Sequence, residues 1–219
     1  MKSAQEGEKR SPGRRSARES LLTQERVLAE AERHFARHGY AGTSVRELGM
    51  ALGIAGSSVL HHVGSKRKLY AEVLRRIAVS IAPVLGHIDR GVPAEAMRQL
   101  AERLLIWSEL NPHYVQILLR EMMENPARID EVHRWQLADF LQQALRFSKA
   151  VVGARGRKKG GIDPDMLLLV LLGSVSYFHV ALTTFNAIRG GEARELRRRF
   201  LGTIEAMLQA SLPVSDPGG

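Results

Sequence analysis

The side chains best suited to chemistry stand close together: His61 and His62, then Lys66, Arg67 and Lys68. Two imidazoles can ligate a metal, and clustered cations can hold a polyanion. The metal reading needs ligands that converge. Adjacent residues on a helix point about 100° apart, so His61 and His62 do not chelate together, and no carboxylate stands at ligand spacing. No metal is expected. His34, His38, His87, His113, His133 and His179 are scattered and read as polar surface or satisfied core residues. The chain has no cysteine, so disulfides, thiolate metal sites and cysteine nucleophiles are excluded. No nucleophile–base spacing or phosphate-cradling glycine loop occurs, so neither an enzyme nor a bound cofactor is expected.

The cations are unevenly placed. Residues 1–76 carry 15 Lys or Arg against 8 Asp or Glu, whereas the remaining residues carry 17 against 15. Such a basic third fits an anionic partner, nucleic acid or an anionic membrane surface, and equally a solvated basic face. Lys66-Arg67-Lys68 opens a helix, where cations oppose the macrodipole. That position becomes favourable when a phosphate lies beside it. Residues 1–20 are polar and rich in Arg and Lys, and read as a disordered basic arm. Lys9, Arg10, Arg14, Arg15 and Arg18 could reach a groove or a phosphate backbone. The arm lacks an apolar run, so no secretory signal is expected and the cytoplasm fits.

Helical spacing runs through the elements that must position these groups. Val27, Ala31 and Phe35 share one face of a helix over 21–38, stopped by Gly39. Ser44 followed by Glu47 forms a capping box for a short helix ending at Gly53. A third helix fits between Ala55 and Gly64, and Ser65 caps a fourth with Leu69, Val73, Leu74 and Ile77 as its stripe. Two short helices across the Gly53-Ile54-Ala55 turn make a helix-turn-helix over 44–63, whose second helix enters the DNA major groove. Gly56, Ser57, Ser58, His61 and His62 offer short or planar groups there, suited to phosphates and base edges.

Residues from about Thr23 to Ile81 resemble the DNA-binding domain of the TetR family of transcriptional regulators. The resemblance rests on Phe35, Gly39-Tyr40, Thr43-Ser44-Val45-Arg46, Leu52-Gly53-Ile54, His61-His62 and Gly64-Ser65-Lys66 with Leu69. It implies that Ser44 and Arg46 touch phosphate, that Ser57 and Ser58 face the groove, and that His61 and His62 meet phosphate or a base edge. Lys66 would clamp a phosphate. The chain departs from the family at Ala55, where Ser is common, at Gly56, often Lys or Gln, and at Leu60, usually Tyr. Gly49 replaces a usual Ala, at up to about 1 kcal/mol of helix propensity. Ser58 would then take over part of the capping.

The rest reads as helices too, over 94–110, 112–124, 125–152, 164–188 and 192–211, with a basic loop at 153–161 and a tail at 213–219. Asn111-Pro112, Asn125-Pro126 and Asp163-Pro164 are helix starts. Residues 166–188 hold no charge, a length that could span a bilayer. Ser174, Ser176, His179, Thr183, Thr184 and Asn186 argue instead for a helix buried between its own domain and a partner subunit. The expected fold is all-α: an N-terminal three-helix helix-turn-helix domain (21–81), then a helical ligand-binding and dimerisation domain (82–212).

The resemblance implies a homodimer formed through 164–188 and 192–211, with Gly173 and Gly202 allowing close approach. It also implies a ligand pocket in the middle helices, for which Trp107, Tyr114, Met122, Met123, Phe140, Phe147, Tyr177 and Phe178 are the candidate lining for a small apolar ligand. Plain core is the competing reading of each. The resulting expectation is a sequence-specific DNA-binding transcriptional regulator, a repressor released from a palindromic operator by a small-molecule ligand. The rival is a non-specific basic architectural protein binding phosphate alone.

Overall fold

The computed structural model describes residues 12–124, 135–153, 162–190 and 192–212, with side chains from residue 23 onward. The described residues are helical, with no strand. The helices are α1 (Pro12–Gly42), α2 (Val45–Leu52), α3 (Gly56–Val63), α4 (Lys66–Ile81), α5 (Pro93–Leu110), α6 (Pro112–Glu124), α7 (Ala138–Val152), α8 (Pro164–Arg189) and α9 (Ala193–Ser211). A 3-10 turn, Ala82–Leu85, follows α4.

Two compact units divide at Val73–Leu74, inside α4, rather than after residue 81 as expected. The first unit packs α1 against α2 and α3, and α2 against α3. Its core is Val27, Leu28, Ala31, Phe35, Leu48, Val59, Leu69 and Val73, all nearly or fully buried. The i, i+4 spacing in α1 therefore points one stripe inward. Gly39 ends the regular part of α1 with φ 70° and ψ 179°, a backbone region open to glycine and strained for any other residue. The Gly39 carbonyl accepts from Thr43 Oγ1 at 2.8 Å, which ties the chain reversal to α2.

One expectation for the arm changes. Residues 12–20, read as disordered, form the start of α1. Pro12 is tolerated in a first helical turn, and Arg14, Arg15, Ala17, Arg18 and Glu19 are good helix formers that extend the helix backwards. Residues 1–11 lie outside the described residues, as do 125–134, 154–161 and 213–219.

In the second unit, α5 is central and packs against α6, α7, α8 and α9. Met97, Leu100, Leu104 and Leu105 on α5 meet a core that includes Ile117, Phe147, Leu168, Leu171 and Val175. Asp163 caps α8, its Oδ1 accepting from the amides of Asp165 and Met166 at 2.8 and 3.0 Å. Asn111 does not act as a side-chain cap for α6 as expected. Its Nδ2 donates to the Trp107 carbonyl at 2.8 Å and closes α5 instead. Of the helix expected over 125–152, the start at Asn125-Pro126 lies outside the described residues; a turn at 136–137 precedes the helical part, which runs from Ala138 to Val152. A further turn, absent from the helical pattern, sits at 86–92. Arg103 holds it by donating to the carbonyls of Gly86 and His87, and His87 adopts φ 50°.

Candidate nucleic-acid interface

The helix-turn-helix is built around one close approach. Ser44 caps α2, with Oγ accepting from the Arg46 amide at 3.2 Å, and Glu47 places an anion in the first turn, where the macrodipole favours it. Gly53 ends α2 in the left-handed region at φ 69° and ψ 27°. The Ile54 amide then folds back onto the Gly49 carbonyl at 2.9 Å. A Cβ on Gly49 would stand 2.7 Å from the Ile54 oxygen and 2.9 Å from the Gly56 nitrogen. Gly49 is thus more than a loss of helix propensity: it makes room for the turn backbone.

α3 begins without a side-chain cap. Ala55 occupies the cap position in extended conformation and makes no side-chain cap hydrogen bond. Gly56, Val59 and Val63 lie along the inner side, Val59 fully buried. A Cβ on Gly56 would be 3.4 Å from the Arg46 Cα, so Gly56 faces α2 and not the groove side expected for it. The outer side, at i, i+3, i+4 and i+7, is Ser57, Leu60, His61 and Gly64, all exposed. Ser58 and His62 are half-buried on its flanks. The two imidazoles meet edge to face, with centroids 5.7 Å apart and planes at 72°. Among the described residues no three His, Asp or Glu side chains are grouped to hold a metal.

The start of α4 is pinned. Ser65 Oγ accepts from the Lys68 amide at 3.1 Å, as the sequence suggests. Lys66 Nζ sits 4.6 Å from the Tyr40 ring centroid and 3.4 Å from the Ala41 carbonyl oxygen. Tyr40 packs on Tyr70 at 5.0 Å, and Tyr70 on Phe35 at 4.8 Å. Lys66 is therefore half-buried and anchored to the end of α1, whereas Arg67 and Lys68 are exposed. Sequence reasoning missed this anchor, because it joins residues 25 positions apart; the Gly39-Tyr40 pair was its only trace.

The candidate ligand-lining residues do not form one cluster. Trp107 and Tyr114 approach at 6.4 Å, and Trp107 Nε1 donates to Ser80 Oγ at 2.9 Å. Phe140 and Phe147 on α7 are buried, with the Arg90 guanidinium 5.4 Å over the Phe147 ring. Phe178 stacks on Phe200 of α9 at 4.2 Å. Met122, Met123 and Tyr177 are exposed, Tyr177 at 72%, so they line no interior of the single chain. Flexible Met and amphipathic Tyr tolerate a surface position, which spacing alone does not distinguish from the core. On α8, Leu167, Leu168, Leu171 and Val175 are buried, while Met166, Leu169, Val170, Tyr177, Val180, Phe185 and Ile188 are exposed. His179 is partly buried; loss of hydration pushes its imidazole below the usual range, and nearby Glu109 opposes that shift. Glu109 also pairs with Arg197 of α9 at 3.1 Å.

A capped short helix, a glycine turn and a second short helix with a polar outer face define a helix-turn-helix DNA-binding protein. Residues 27–73 match the family described as bacterial regulatory proteins, tetR family. The chain is 30% identical over 150 residues to the HTH-type transcriptional repressor AcnR of Corynebacterium glutamicum, covering 68% of this chain and 73% of that protein. It is 23% identical over 194 residues to the HTH-type transcriptional regulator RutR of Escherichia coli, covering 87% and 89%. The fold matches SCO3833, a member of the TetR transcriptional regulator family from Streptomyces coelicolor A3, with a TM-score of 0.60 and 20% identity over 85% of this chain and 89% of that one. A tetR-family regulatory protein from Rhodococcus RHA1 matches with a TM-score of 0.63 and 16% identity, covering 84% and 96%. The chain belongs to the TetR family and is a sequence-specific DNA-binding transcriptional regulator. The non-specific architectural reading is not favoured.

Proposed function

We propose that the protein is a cytoplasmic homodimeric repressor that leaves a palindromic operator when a small apolar ligand occupies its second unit. The observation that carries the DNA side is the outer face of α3, with Ser57 and His61 exposed and Ser58 and His62 flanking them. Ser44 and Arg46 at the start of α2 supply phosphate contacts, and Lys66 a further one beside the exposed Arg67 and Lys68. Gly56 contributes closeness to α2 rather than a contact of its own. The repressor sign is taken from the AcnR relative, a transcriptional repressor.

Dimerisation explains α8 better than a bilayer does. α8 alone among the described helices is long and apolar enough to cross a membrane, yet its inner side is built into a helical core. The exposed apolar residues of its other side, with Met207 on α9, suit a two-fold interface with a second copy. Two copies of α3 related by a two-fold axis would read two half-sites about one helical turn apart, or further apart on a distorted duplex. A ligand that favours a different spacing of the two α3 helices would oppose operator binding through a single equilibrium.

The test is selection of bound DNA from a random library at two salt concentrations. A recovered palindrome that persists at the higher salt supports the reading. Enrichment of no sequence, with affinity falling steeply in salt, overturns it.

A further inference from the structure

We propose that Leu60 is a specificity residue that reads the 5-methyl group of a thymine in each operator half-site. This rests on the reading of α3 as the helix that enters the major groove. Leu60 is 39% exposed on the outer side of α3, between the hydrogen-bonding groups of Ser57 and His61. Val59 and Val63 turn inward, Val59 fully buried, whereas Leu60, one helical turn before Val63, lies at the border of the inner side and keeps 39% of its surface exposed. The exposed part of a leucine at the edge of a polar reading face gains free energy only where it meets an apolar group.

The major groove presents one such group, the thymine C5 methyl; every other base edge there shows a donor or an acceptor. Set against cytosine N4 or a purine N7, Leu60 would strip water from a polar atom without replacing its hydrogen bond. The same side chain thus favours thymine and disfavours the alternatives. Ser57 and His61 remain to supply polar contacts on either side.

The experiment titrates the full chain against its selected operator with each thymidine of a half-site replaced in turn by deoxyuridine, which removes only the methyl group. At one position binding is expected to weaken about fourfold, and about fifteenfold when both half-sites are changed. A 5-methylcytosine at that position should bind better than cytosine by a similar factor. In Leu60→Ala the thymidine-to-deoxyuridine ratio should fall to near one, while Leu60→Met, which keeps an apolar tip, should retain most of it. A thermal melt of each variant separates lost fold from lost contact. A wild-type chain indifferent to deoxyuridine at every position, a ratio unchanged in Leu60→Ala, or an operator without an invariant thymine overturns the assignment and leaves the regulator reading standing. A chain that selects no sequence overturns both.

Discussion

The outward faces of α3 and α8 differ in kind. α3 shows Ser57, His61 and a single apolar side chain, Leu60, and its start lacks a side-chain cap. α8 shows Met166, Leu169, Val170, Tyr177, Val180, Phe185 and Ile188 without one charge between them. Each helix uses its other side for its own core, through Val59 in α3 and Leu168, Leu171 and Val175 in α8. The difference lies in what would complete the surface. Short polar groups exchange water for phosphates and base edges at little cost, whereas an apolar stripe gains only by excluding water altogether.

The comparison breaks most severely if α8 is charged. Tyr177→Arg would place two like charges in a two-fold interface, and the dimer is expected to weaken by at least about 100-fold, from roughly 3–5 kcal/mol for uncompensated buried charge. Sedimentation velocity checks this; an unchanged dimer would move the interface away from α8. The next largest effect is Gly49→Ala. Its Cβ would meet backbone at 2.7 and 2.9 Å, and an overpacking loss of about 1–3 kcal/mol should exceed the gain of about 1 kcal/mol in helix propensity. Denaturant unfolding should show net destabilisation; a stabilised variant would mean that the turn relaxes freely.

On the polar side, Lys66→Ala should weaken binding to all sequences and lower the slope of log affinity against log salt by about one. Loss of preference at a single base position would instead assign Lys66 to base reading. A smaller gain is expected from Ala55→Ser, which supplies the missing cap of α3 and should raise stability by about 0.5–1 kcal/mol. An unchanged melting midpoint would show that the α3 start is already satisfied.

Glu95, on α5, belongs to neither face and serves as the control. Hydrogen bonds from Arg98, and then Gln99, hold its carboxylate down at about 2, against an ordinary value of 4.5. A depressed folded value stabilises the protein above the unfolded value, and that contribution fades as pH falls from about 4.5 towards 2. The side chain is 43% exposed, so solvent screens the pair and Glu95→Gln should cost less than about 1 kcal/mol at neutral pH. Melting curves of the two proteins should converge on acidification, while operator binding at neutral pH stays unchanged.

Much of the first unit was legible because its signals are local. Ser44, Gly53 and Ser65 mark helix ends by backbone chemistry that acts over three or four residues. The apolar spacing of Val27, Ala31 and Phe35, and of Leu69 and Val73, placed the buried stripes correctly. The misses are long-range or end effects. Gly56 and Gly49 are explained by how closely α2 and α3 approach, a distance that residue types do not encode. The backward extension of α1 through 12–20 escaped because an arginine-rich stretch satisfies both a disordered arm and a helix. In the second unit, Met123 and Tyr177 fit a core stripe by spacing and lie at the surface.

By itself, the sequence determined an all-helical chain, the positions of the helix-turn-helix caps and turn, and the basic bias of the first third, since these follow from backbone geometry, periodicity and charge. Tertiary structure alone decided which side of each helix is spent on its own core. Whether Leu60 turns outward while Val59 turns inward, whether Lys66 rests on Tyr40, and which half of α8 stays uncovered depend on how neighbouring helices pack. A helical period places residues on faces, but only the packed partner chooses which face is buried.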